Sequence, residues 1–418
     1  MLVIEKDKQT KTAVVCPVFK SDAGFGFEGE SNHRLEEAQG LVLAMGQAVV
    51  FSICSKVYKI NSATFFGKGT VAQLKEQCAL HEAELLVVDY ALSPVQQRNL
   101  EKELNLKVID RTAVILEIFG RRAQTKEGKL QVELAHLTYQ RGRLVRSWTH
   151  LERQRGGGGF LGGPGETQIE LDRRHIDNRI LKIKKELEKV RQTRCIQRSA
   201  RIKVPYPTVA LVGYTNAGKS TLFNYITKAQ VFAQNMLFAT LDPTMRKIDL
   251  GTHTEVILSD TVGFISHLPH ELVMAFRATL EEVLEADVIL HVIDVSNADY
   301  KEQQKDVISV LHELGLEKVE FGEHYIEVYN KADLLSLSEK ENIIRHHHKA
   351  VLVSAVSGEG IDKLLNRLKQ HFVVQGKLER IVLAVNDGKK LAEIYRTAEV
   401  LDRREDENNI YLCVRRGG

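Results

Sequence analysis

Along the first part of the chain, short apolar runs (Thr12 to Val18, Ala48 to Cys54, Glu84 to Asp89 and Leu106 to Asp110) alternate with stretches of helical character. That rhythm predicts parallel strands covered by helices, a small α/β domain over residues 1–112. Two helix starts are expected from a Ser or Thr followed three residues later by Gln: Thr70 with Gln73, and Ser93 with Gln96, the second with Pro94 at the first helical position. Gly67-Lys68-Gly69-Thr70 superficially suggests a phosphate loop, but Ser62 stands where the earlier glycine is required, so it reads as a helix start.

From residue 113 the period lengthens. Leu130, Leu134, Leu137 and Leu144 mark one helical seam, and Ile169, Ile176, Ile180, Ile183, Leu187 and Val190 mark another. Two such seams predict an antiparallel helical hairpin over residues 113–204. The stretch from Gly156 to Gly165 between them is too rich in glycine to continue a helix, so it reads as a flexible tip on a rigid stalk.

Strand and helix alternate again over residues 205–374, with apolar runs at Val209 to Val212, Glu255 to Leu258, Val288 to Ile293, Tyr325 to Val328 and Val351 to Val353. This predicts a doubly wound α/β domain. Residues 375–418 read as strand, helix (Lys389 to Thr397) and strand, a small α+β appendage.

Composition adds the compartment and the charge. Of 418 residues, 43% are hydrophobic and 27% charged, ordinary for globular protein and unlike disordered or collagenous chains. The five cysteines form no CxxC pair, which fits a reducing compartment. With no apolar segment after Met1 and no long apolar run, a cytoplasmic chain without a membrane span is expected. A monomer is expected. The net charge of +3 is unevenly spread: from Arg111 to Pro205 there are 22 Lys and Arg against 10 Asp and Glu. A basic segment therefore sits in an otherwise acidic chain. His346-His347-His348 lacks a partner at metal spacing and reads as a solvated helix end. Trp148 reads as a packing residue.

Gly213-Tyr214-Thr215-Asn216-Ala217-Gly218-Lys219-Ser220, continued by Thr221, matches GxxxxGK[ST] between a strand and a helix. Backbone N–H groups there can curl around phosphates, Lys219 can place its charge on the β and γ oxygens, and Ser220 can ligate Mg²⁺. Asp260-Thr261-Val262-Gly263 follows a strand as a DxxG does, with Asp260 on Mg²⁺ through water and the Gly263 amide at the γ-phosphate. Asn330-Lys331-Ala332-Asp333 matches NKxD, where the Asp333 carboxylate can accept from the ring N–H and amine of guanine, a pair adenine does not present. Ser354-Ala355 ends the next strand, where a backbone N–H can meet the guanine carbonyl. A P-loop metabolic kinase would share Lys219 and Ser220 but has no use for Asn330 and Asp333.

These four elements, in order, resemble the translation-factor-related GTPases. That resemblance asks for a switch I threonine, and Phe238-Ala239-Thr240-Leu241-Asp242-Pro243-Thr244 offers Thr240, with Thr244 as the competitor. By analogy Thr240 places its hydroxyl on Mg²⁺ and closes over the nucleotide, giving Lys219, Thr240 and Gly263 the catalytic roles. The phrase as a whole resembles the HflX-type GTPases. So do Asp110-Arg111-Thr112, Arg121-Arg122-Ala123, Glu127 to Leu134, Leu144 to Gln154, the glycine tip, Gly163-Pro164-Gly165-Glu166-Thr167-Gln168 and Asp172-Arg173-Arg174. The resemblance covers most of the chain and implies a GTPase of the large ribosomal subunit that dissociates stalled ribosomes under stress. The stalk would contact rRNA, and the tip would lie near the peptidyl transferase centre. A large-subunit assembly factor timed by GTP is the alternative. At the tip, Gly162 stands where the family usually has Arg, and Phe160 replaces a glycine. Arg153 and Arg155 can supply the charge and Phe160 can stack on a base.

Independently of the family, Lys182, Lys185, Lys189 and their basic neighbours fit contacts to RNA phosphates. Ras-like enzymes orient the attacking water with a Gln after the DxxG glycine; here Phe264 follows Gly263. Hydrolysis of GTP to GDP is therefore expected to be slow alone and faster when a partner orders the switches.

Overall fold

The computed structural model describes residues 9–21, 24–25, 28–154, 168–201, 206–229, 237–238, 240, 243–251, 254–266, 283–284, 286–316, 324–375, 377–384, 387–397, 399–405 and 409–416. The chain forms two compact units, residues 1–192 with 236–238 and 267–276, and the remainder.

In the first unit β1 (Lys11–Ser21) pairs in parallel with β3 (Ala48–Val57) and β4 (Leu85–Val88), and β4 with β5 (Lys107–Asp110). The short β2 (Gly24–Phe25) adds antiparallel to the end of β1. Every residue of β4 is buried, as expected of a parallel strand covered on both faces. Helices α1 (Glu28–Ala44), α2 (Lys68–Leu80), α3 (Pro94–Leu104) and α4 (Arg111–Arg122) complete this α/β layer. The Ser93 start is a full capping box: the Gln96 N–H donates to Ser93 Oγ, and the Ser93 N–H to Gln96 Oε1. The Thr70 start is not. Helix α2 begins at Lys68, preceded by Gly67 as an N-cap residue with no side chain to cap it, which places Thr70 and Gln73 inside the helix.

Helices α5 (Lys126–Gln154) and α6 (Gln168–Arg201) are the predicted long pair. Arg179–Glu133 (2.6 Å) and Arg141–Asp177 (2.8 Å) ion pairs join them, later residues of one meeting earlier residues of the other, as in an antiparallel hairpin. Ile180 and Ile183 are buried as the seam requires, whereas Leu134 and Leu137 are only half-buried. Asp110 ties the hairpin to the α/β layer. Its carboxylate caps α4 by accepting from the Ala113 N–H (2.9 Å), and it also accepts from the Tyr139 hydroxyl (2.8 Å) and pairs with Arg143 (3.1 Å). Neighbouring Arg111 is buried in ion pairs with Asp89 and Glu37. The glycine tip, with Arg155 and Phe160, lies outside the described residues, as do the side chains of Arg153 and Trp148.

The second unit is built on a six-stranded sheet: β6 (Thr208–Val212), β7 (Thr244–Asp249), β8 (Glu255–Asp260), β9 (Val288–Asp294), β10 (Tyr325–Asn330) and β11 (Val351–Leu352). The order is β11-β10-β9-β6-β8-β7, parallel except for β7 at the edge. Its helices include α7 (Lys219–Thr227), α8 (Tyr300–Glu313), α9 (Leu337–His346) and α10 (Ile361–Gln375). Val209, Leu211, Val256, Leu258, Val288, Leu290, Val292 and Val328 form the core of this sheet. The C-terminal appendage holds β12 (Lys377–Ala384), α11 (Gly388–Thr397), β13 (Glu399–Glu405) and β14 (Asn409–Arg416), ordered β12-β14-β13. The sequence pattern shows only two of these strands. Edge strand β13 carries Asp402, Arg403, Arg404 and Glu405, charges that protect a sheet edge and hide its apolar alternation. No described helix is long and apolar enough to cross a membrane.

Candidate nucleotide site

The motifs converge at the carboxyl ends of the parallel strands, where open α/β sheets place ligands. Buried β6 delivers Gly213, and the loop to Gly218 turns into α7 at Lys219. A Cβ at Gly213 would overlap the Val292 carbonyl oxygen of the neighbouring strand. Gly218, at φ +93°, would meet the Asn330 carboxamide in the same way. The tight backbone path through this loop thus demands glycine at both positions.

Lys219 is 6% exposed, and its ammonium donates to the carbonyl oxygens of Gly213 (3.0 Å) and Tyr214 (2.8 Å). Burial lowers its pKa to about 8, against the opposing pull of the Asp260 charge. Ser220 Oγ donates to Asp260 Oδ2 (2.7 Å) and lies 2.8 Å from Thr240 Oγ1, which donates to the same carboxylate oxygen (3.0 Å). Thr240, not Thr244, joins this cluster; Thr244 opens β7 opposite Asp260 in the ladder. Asp260 is fully buried, which pushes its carboxyl pKa up while Ser220, Lys219 and Thr240 hold it down. Its Oδ1 is buried without a hydrogen-bond partner among the described residues.

The loop is zipped to the segment after DxxG. The Thr215 N–H donates to the Phe264 carbonyl (2.7 Å), and the Phe264 N–H donates to that of Gly213 (3.1 Å). Tyr214, whose part here the motif does not announce, lies 2.7 Å from Ser266 Oγ through its hydroxyl, and Ser266 donates to Asp306 (2.7 Å). Phe264 itself is buried.

On the base side, Asp333 is exposed and accepts from Ser354 Oγ (2.6 Å). Lys331 pairs with Asp294 (2.6 Å). Asn330 is buried, donating to the Ala217 carbonyl (2.8 Å) and accepting from the Ala355 N–H (3.0 Å). Asn216 is exposed at φ +62°, and Thr221 is half-buried in the first turn of α7. Away from this site, Lys182, Lys185 and Lys189 are exposed on α6.

The sheet order and this constellation define a P-loop GTPase. Comparison with known proteins narrows the class. Residues 32–120 match the family described as GTP-binding GTPase N-terminal and residues 122–201 its middle region. Residues 208–331 match the 50S ribosome-binding GTPase family, and residues 340–415 the HflX C-terminal domain. A GTPase HflX from Magnetococcus marinus is 49% identical over 383 residues, 91% of this chain and 87% of the relative. The GTPase HflX of Escherichia coli is 43% identical over 384 residues, 91% and 89% of the two chains. A GTP-binding protein from Sulfolobus solfataricus, solved with GDP, is 25% identical over 87% of this chain and 98% of its own, with a TM-score of 0.45. The chain belongs to the HflX family of GTPases.

Proposed function

We propose that this GTPase binds the large ribosomal subunit in its GTP form, dissociates stalled or idle ribosomes, and is released when GTP is hydrolysed. The observation that carries the reading is the row of exposed lysines on α6, Lys182, Lys185 and Lys189, in a chain whose GTPase segment matches a 50S ribosome-binding family. Lysines on a long helix suit the sequence-independent neutralisation of rRNA phosphates.

Within the nucleotide site, Lys219 takes the β and γ oxygens, and the Asp333 carboxylate selects guanine with support from Ser354. Magnesium fits the donor set of Ser220, Thr240 and Asp260, two hydroxyls and a buried carboxylate whose Oδ1 has no partner among the described residues. Ser220 and Thr240 would hold it directly and Asp260 through water; when bound, the ion neutralises charge on the β and γ oxygens. Phe264 has no polar side-chain atom with which to orient water, so hydrolysis is slow until docking orders the switches.

Sedimentation of intact ribosomes with a non-hydrolysable GTP analogue tests the proposal. Conversion to free subunits that requires both protein and analogue is the expected result. Intact ribosomes together with binding to immature large subunits would instead identify an assembly factor.

A further inference from the structure

The phosphate-loop pattern leaves its second position open, and here Tyr214 fills it with a residue that is only 5% exposed. Its hydroxyl reaches 52 residues along the chain to Ser266, accepting from the Ser266 N–H (2.8 Å) and lying 2.7 Å from Ser266 Oγ. The single hydroxyl proton of Ser266 goes to Asp306 Oδ2 on α8 (2.7 Å). The Tyr214 hydroxyl therefore donates to Ser266 Oγ, and the proton order runs from tyrosine through serine to the carboxylate. Hydrogen bonds linked in this way polarise and strengthen one another.

Ser266 stands three residues past the DxxG glycine, and the segment between is already fastened. Thr261 Oγ1 donates to the Leu211 carbonyl of β6 (2.6 Å). The Phe264 N–H donates to the Gly213 carbonyl, and the Phe264 carbonyl accepts from the Thr215 N–H. A Cβ built on Gly263 would come within 3.1 Å of Lys219 Nζ, so the backbone of this glycine lies beside the ammonium that takes the β and γ oxygens.

We infer that Tyr214 is a positioning residue for GTP: by tethering Ser266, with Asp306 behind it, it holds the Gly263 amide where the γ-phosphate arrives. The tether rests on the nucleotide site proposed above and acts through Gly263, because the tyrosine hydroxyl itself is committed to Ser266. GDP has no γ-phosphate, so the tether bears on GTP and not on GDP. A hydroxyl that served only the fold would affect both nucleotides alike.

The test uses Tyr214→Phe, Ser266→Ala and the double variant in the full-length chain, measuring affinity for GDP and for a non-hydrolysable GTP analogue, and KM for GTP. Tyr214→Phe removes the hydroxyl and leaves the loop backbone in place. Each single variant should bind the analogue roughly three- to tenfold more weakly, as for the loss of one net hydrogen bond, and keep GDP affinity within about twofold. KM for GTP should rise with the Kd of the analogue. The double variant should fall short of the summed losses, since both substitutions cut one tether. Unchanged analogue affinity in both single variants, fully additive losses, or GDP and analogue affinities that fall together would overturn the inference. A parental chain that binds neither nucleotide would overturn the nucleotide site beneath it, and the tether with it.

Discussion

Asn330 holds the phosphate loop from behind: its carboxamide nitrogen donates to the Ala217 carbonyl at 2.8 Å, across 113 residues of sequence. Its oxygen accepts from the Ala355 N–H at 3.0 Å, so one buried side chain joins the phosphate loop to the loop beneath the base. Removing it strands a carbonyl and an amide in a water-poor interior. Asn330→Ala is expected to weaken GDP binding by more than tenfold and to lower the stability of this unit by about 2 kcal/mol. Calorimetric titration and urea unfolding read the two effects, and unchanged values in both would refute the clamp.

Asp333 is exposed and oriented by Ser354, which suits a carboxylate that meets a ligand. In Asp333→Asn, the amide can pair with the carbonyl that xanthine presents where guanine has its amine. Preference should move from GDP to XDP in competition binding. An equal loss of both nucleotides would count against the assignment.

Replacing Lys182, Lys185 and Lys189 by Gln removes three exposed charges from α6. Binding to the large subunit should weaken, and its salt dependence should flatten by up to about 0.7–0.9 log units per lost phosphate contact. Intrinsic GTP hydrolysis should be unchanged, because none of the three belongs to the nucleotide site, while ribosome-stimulated hydrolysis should fall. Full stimulation of the triple variant at physiological salt would show that docking uses another surface.

His291, in the central strand β9, is buried beside Tyr325, and burial together with the Lys219 charge lowers its pKa to about 3. Because the unfolded chain takes up this proton near pH 6.5 and the folded chain does not, the stability it protects is complete above pH 6.5 and is lost as pH falls toward 3. The loss approaches about 1.4 kcal/mol per pH unit over that window. His291→Gln should flatten the acid limb of urea midpoints recorded from pH 7 to 4.5, and identical slopes for the two proteins would disprove it.

The nucleotide motifs are legible because each occupies a contiguous phrase at a strand end, where backbone amides and neighbouring side chains act together. Gly213 to Ser220 carries its strand before and its helix after within the same stretch of sequence, and the capping box of Ser93 and Gln96 is local in the same way. The Thr70 start shows the limit of such patterns, since the helix begins two residues earlier and absorbs its cap. Other relationships have no period to betray them. Thr240 and Thr244 are chemically alike and only four residues apart, and the choice between them depends on which one the chain brings to Ser220 and Asp260. Phe238 lies inside the same phrase, yet it is buried edge to face against Phe119 at 4.6 Å, within the first unit. By itself the sequence determined the alternation of strand and helix, the basic stalk, and the chemistry offered at each strand end. Only the tertiary structure decided which threonine meets the carboxylate, that Asn330 braces the loop, and that the Thr215 hydroxyl finds no partner among the described residues, because these depend on distances between residues remote in sequence.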